Sequence, residues 1–192
     1  MPTSETVEPL KFTDEHYIAL GRMVVQFQEL EQAITIALAQ FMQPKDIGLA
    51  LGFTHTVIIE LSFATRLKLL SNFVETHPVT HFIPPGSKFE ESKSEEFLEE
   101  LNELRDGLKI ATLAEAKRNG LIHSNWLTSS QMCGPPGTVL RFKKRAKGRS
   151  THQTIEFVTA AEILSIAEEM QRAINIVFKI TGRLHMYLHT QI

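Results

Sequence analysis

The sequence predicts an all-α protein, a bundle of four or five helices with one small β-hairpin inserted before the last helix. Apolar residues recur at three- and four-residue steps over most of the chain. Prolines and glycines gather between those runs. Strand-like alternation is confined to residues 138–158. The 192 residues, 43% of them hydrophobic, suffice for one compact core. Residues 1–13 therefore read as a flexible or loosely docked leader and 14–192 as a single helical domain.

The first helix starts at Asp14, with Thr13 or Asp14 as N-cap. Leu20, Val24, Phe27, Leu30, Ile34, Leu38 and Phe41 supply its apolar stripe, and Pro44 closes it. A second helical stretch runs from about Asp46 to Glu75, with a break expected near Gly52–Thr56. Pro78, Pro84, Pro85 and Gly86 then mark a loop. The third helix begins near Ser92 or Ser94. Its acidic first turns (Glu95, Glu96, Glu99, Glu100) suit the positive end of the helix dipole. Phe97, Leu101, Leu104, Leu108, Ala111 and Glu115 share one face, and the same register brings Arg118 onto it. Gly107 interrupts this helix at a cost of about 1 kcal/mol.

After Trp126 the segment "SSQMCGPPG" reads as a turn-rich loop. "TVLRFKK" and "TIEFVT" then alternate as the two arms of the hairpin. Thr159 followed by Glu162 forms a capping box for the last helix, whose stripe includes Ile163, Ile166, Met170, Ile174 and Val177.

Charge and cysteine usage narrow the function classes. The formal net charge is −2, but 141–149, "RFKKRAKGR", holds six cations and no acid. Without those six the remainder is −8, an acidic chain with one basic strip. The single cysteine, Cys133, excludes an intrachain disulfide and a multi-cysteine metal site, and fits a reducing compartment. The first residues lack a signal-peptide pattern, and no apolar run approaches the ~20 residues that span a bilayer. A cytoplasmic protein with no membrane partner is expected. His77 and His81 flank Pro78 in a loop, and His185 and His189 lack a third ligand, so neither a metal nor another cofactor is expected.

One stretch is out of character: "AKRNGLIHSNW", Ala116 to Trp126, which sets Arg118, Asn119 and His123 close together. On an unbroken helix five residues turn through about 500°, leaving Arg118 and His123 ~140° apart. They converge only if Asn119–Gly120, both suited to left-handed backbone angles, breaks the helix directly after Arg118. Two readings fit the residues. "RNG" can be a helix C-cap, with Arg118 near the negative dipole end and His123 as a core residue. Alternatively, the three polar residues form a reaction site.

"AKRNGLIHSNW" resembles the Arg–polar–(x)–His signature of the HEPN superfamily (higher eukaryotes and prokaryotes nucleotide-binding), in which four to six residues separate arginine and histidine. Arg118, Asn119 and His123 match with four between. The first helix, "GRMVVQFQELEQAITIAL" with its acids Glu29 and Glu31, also resembles the opening helix of small bacterial relatives. The hairpin at 138–158 departs from their plain bundle.

This resemblance implies a metal-independent endoribonuclease, a toxin or defence nuclease, working as a homodimer with the motifs facing one another. An antitoxin or a nucleotidyltransferase is an implied protein partner. The implied chemistry is consistent with the side chains. Histidine exchanges protons near neutral pH, so His123 serves as base towards the ribose 2′-OH or acid towards the leaving oxygen. Arg118 offers a planar fork of donors to the phosphorane, and Asn119 orients the histidine or the phosphate. Arg141, Lys143, Lys144, Arg145, Lys147 and Arg149 would hold the RNA backbone; otherwise they are a solvated hairpin tip. The alternative is a non-catalytic HEPN-like module that binds nucleotide, RNA or a partner protein.

Overall fold

The computed structural model describes residues 8–42, 47–76, 91–127, 129–147 and 150–189. The described residues are mostly helical, with five α-helices and two small antiparallel sheets among them. The helices are α1 (Asp14–Met42), α2 (Ile47–Thr56), α3 (Phe63–Thr76), α4 (Glu91–Ile122) and α5 (Ala160–His189). The strands are β1 (Glu8–Leu10), β2 (Asn125–Leu127), β3 (Ser129–Gly134), β4 (Thr138–Lys147) and β5 (Ser150–Thr159). The chain divides into two compact units, one of residues 1–27 and 114–169, the other of 28–113 and 170–192.

The first unit holds both sheets. β1 pairs with β3, and β2, β4 and β5 form a three-stranded antiparallel sheet in the order β2–β4–β5. Its buried residues include Met23, Phe27, Leu121, Val139, Val158 and Ile163. Thr13 is the N-cap of α1: its carbonyl receives the His16 and Tyr17 amides, and its own N–H is accepted by His16 Nδ1 at 3.3 Å. The Thr159–Glu162 capping box forms reciprocally. Glu162 N–H donates to Thr159 Oγ1 at 3.1 Å, and Thr159 N–H to Glu162 Oε2 at 2.7 Å.

The described residues of the second unit are helical. Arg66 on α3 donates to Thr35 Oγ1 and Glu31 Oε1 on α1, each at 2.6 Å. Lys179 and Arg183 of α5 pair with Glu103 and Glu100 of α4. A side chain at Gly107 would bring its Cβ within 2.7 Å of Ile176 Cγ2, so α4 and α5 approach closely at this glycine.

Several expectations are corrected. The strands exceed one hairpin, because "SSQMCG" pairs as β3 with Glu8–Leu10. Those three residues are therefore fixed in a sheet, not part of a flexible leader; Leu10 is only 2% exposed. Alternation is weak in both segments, which hid them. The break in the second helical stretch falls at Val57–Ser62, beyond Gly52–Thr56, because Ser62 caps α3 through the Thr65 amide. Val24, expected on the buried stripe, is exposed, and Met23 is buried in its place. The loop at Pro78–Gly86 and Pro44 lie outside the described residues.

Candidate functional site at the end of α4

The helix does not break after Arg118. α4 continues through Asn119, Gly120 and Leu121 to Ile122, and Gly120 keeps a negative φ; Gly137 is the sole glycine with a positive one among the described residues. The His123 amide still donates to the Asn119 carbonyl at 3.3 Å, four residues back as in a helix. The expected convergence of Arg118 and His123 within one chain is therefore not met. Helical rotation leaves them on different sides.

Each motif residue has its own surroundings. Arg118 is half-buried. Its guanidinium carbon lies 4.2 Å from the Phe27 ring centroid, and Nη1 donates to Asn119 Oδ1 at 2.8 Å. Its Nε is buried without a hydrogen-bond partner. Asn119 Nδ2 reaches Glu115 Oε1 at 3.4 Å. His123 is exposed, and its imidazole makes no hydrogen bond to a described residue. It is not the core histidine of the C-cap reading. Among the described residues the buried histidine is His16, against Phe12, whose ring also meets Trp126 edge-on at 5.5 Å.

The end of α4 is fastened by the hairpin. A helix leaves its last carbonyls without amide partners; here Arg141 and Ser124 supply donors to the Gly120 carbonyl, and Lys143 adds one to the Asn119 carbonyl. Arg141 Nη1 donates to the Gly120 carbonyl at 2.9 Å, and Ser124 Oγ donates to the same oxygen at 2.5 Å. Lys143 Nζ donates to the Asn119 carbonyl at 3.4 Å. Arg141 Nη2 also pairs with Glu156, its direct cross-strand partner. An open cleft of about 250 Å³ lies beside this junction, lined by Gly120, Ser124, Arg141, Lys143, Thr154 and Glu156.

Of the six hairpin cations, then, Arg141 is a capping group with a carboxylate partner, unlike a solvated RNA contact. Lys143 faces the cleft. The side chains of Lys144, Arg145 and Lys147, and all of Arg149, lie outside the described residues, as do His77, His81 and the side chains of His185 and His189. Among the described residues no group of His, Cys, Asp or Glu could hold a metal ion, and no helix is long and apolar enough to cross a membrane.

Comparison with protein-family models, curated sequences and solved structures finds no match.

The residues that sequence reasoning missed are Ser124 and Glu156, with the capping role of Arg141. A signal for the last pair existed. A two-residue connection after Lys147 pairs 147 with 150, and that register sets Arg141 opposite Glu156.

Proposed function

We propose that this chain is a metal-independent endoribonuclease of HEPN type, with His123 as the proton-transfer group at the end of α4. The observation that carries the reading is the exposed His123 imidazole, one residue past α4, where Arg141 and Lys143 gather on the preceding carbonyls. A general base needs access to the 2′-OH it deprotonates, and an exposed ring has it. Because Arg118 and His123 diverge on one helix, the reading requires them to meet in trans. In a homodimer, Arg118 of one chain would serve the phosphate attacked under His123 of the other. The products are a 2′,3′-cyclic phosphate and a 5′-hydroxyl, and DNA is left intact because it lacks the attacking hydroxyl.

The test is cleavage of single-stranded RNA by the purified chain in EDTA. The expected result is cutting by the wild type and none by His123→Ala. Because His123 is exposed, its truncation leaves thermal stability within about 0.5 kcal/mol. Intact RNA across varied sequences with the wild-type dimer would sink the reading.

One observation favours a second reading, a non-catalytic HEPN-like module that binds RNA, nucleotide or a protein. Arg118 packs over Phe27 and bonds Asn119, as a structural arginine would.

A further inference from the structure

Lys117 near the end of α4 pairs with Glu169, and the three other described cations there, Arg118, Arg141 and Lys143, differ in what they leave for a ligand. Arg118 is held against Phe27 and bonds Asn119. Arg141 bridges the Gly120 carbonyl and the Glu156 carboxylate. Lys143 donates only to a neutral carbonyl, at the long distance of 3.4 Å, and no described carboxylate pairs with it. A lysine ammonium has three donors, so two remain to offer.

The surroundings of Lys143 complete the case. It faces the 250 Å³ cleft, and its direct cross-strand partner Thr154 brings a hydroxyl to the same lining. Among the described lining residues the acid is Glu156, its charge offset by Arg141, and those two cations and one acid sum to +1. The Asn119 carbonyl that receives Lys143 Nζ also receives the His123 amide at 3.3 Å. The lysine ammonium and the His123 main chain thus meet at one oxygen atom.

We propose that this cleft is a phosphate subsite, in which Lys143 Nζ and the Thr154 hydroxyl hold a phosphate group near the His123 main chain. Its place in RNA cleavage rests on the ribonuclease reading; its capacity to bind phosphate does not. Lys143 then supplies, in the same chain as His123, the cation that the divergent Arg118 cannot bring there.

The experiment is titration of the ¹⁵N-labelled full chain with inorganic phosphate at constant ionic strength, followed by amide shifts, together with RNA cleavage by the same variants. The subsite predicts saturable shifts at His123, Ser124 and Thr154. Lys143→Ala weakens that binding about tenfold or more. Lys117→Ala, which removes a cation already paired with Glu169, changes it less than about twofold. Half-exposed Lys143 is not part of the core, so its variant folds, as circular dichroism would verify. Absence of saturable shifts at these amides, or a Lys143→Ala chain that binds phosphate like the wild type, overturns the subsite. If phosphate binds here and the wild type leaves RNA intact, the subsite stands and the nuclease reading falls. If RNA is cut equally by wild type and Lys143→Ala, with phosphate binding unchanged, the reading stands and the subsite falls.

Discussion

Arg141 on β4 donates to the carbonyl of Gly120 on α4 at 2.9 Å, and this bond ties the hairpin to the helix end that precedes His123. A strand side chain here does the work that a glycine in left-handed conformation does at many helix C-termini. The helix can therefore run past Asn119–Gly120, because its terminal carbonyls find donors without a reversal of the backbone.

Arg141→Ala removes that bond and leaves Glu156 without its partner. Glu156 is 44% exposed, so solvent screens the pair and its share is small. The charge-assisted bond to the Gly120 carbonyl carries more, and the total loss is about 1–2 kcal/mol. For a chain of this length that lowers Tm by about 2–8 °C. Glu156→Gln loses less, and thermal denaturation of the two variants gives the order.

Gly120→Ala separates a broken helix from a continuous one. A break requiring left-handed angles would make alanine costly. Within a continuous helix, the added Cβ meets only Arg141 Nη1, at 3.6 Å, an ordinary contact. The expected outcome is a gain of about 0.4–1 kcal/mol, from reduced freedom of the unfolded chain. A chemical denaturation curve measures it, and a loss above 1 kcal/mol would contradict the continuous helix.

The helices were legible because burial on one face imposes a 3.6-residue rhythm that survives any tertiary arrangement. Leu101, Leu104, Leu108 and Ala111 were placed by that rhythm alone, and all are buried. The caps at Thr13 and Thr159 were legible for a similar reason, since a cap and its amides lie within three or four residues. What the sequence hid is non-local. β1 and β3 are more than 110 residues apart and carry little alternation, so nothing local announces their pairing. The continuous helix at Arg118–His123 is not legible because two of the donors to its last carbonyls, Arg141 and Lys143, come from a distant strand. With those donors unknown, Asn119–Gly120 looked like the means of ending the helix.

Gly107 looked like a flaw in α4, and contact with Ile176 explains it. A Cβ there would lie 2.7 Å from Ile176 Cγ2 and 3.1 Å from its Cβ. Helix propensity favours alanine by up to about 1 kcal/mol, but overpacking a close helix contact costs about 1–3 kcal/mol. Gly107→Ala is therefore expected to destabilise. Adding Ile176→Ala should recover part of that loss by removing the clashing methyl, so a double-mutant cycle in denaturant gives a favourable coupling.

Arg118 distinguishes the two functional readings, and lysine is the informative replacement. Lysine keeps a positive charge on a long apolar stem that still covers Phe27, but it lacks the planar fork of donors. As a structural residue over an aromatic ring, Arg118 contributes about 0.5–2 kcal/mol, most of which lysine retains. Arg118→Lys should therefore unfold within about 1 kcal/mol of the wild type. If the guanidinium also stabilises charge on the phosphorane, its loss lowers kcat for RNA cleavage by about 10²–10³. The expected result is that combination, near-native stability with a hundredfold or greater fall in rate. A variant that cuts RNA at the wild-type rate would leave Arg118 a packing residue and pass the phosphate to Lys143 alone.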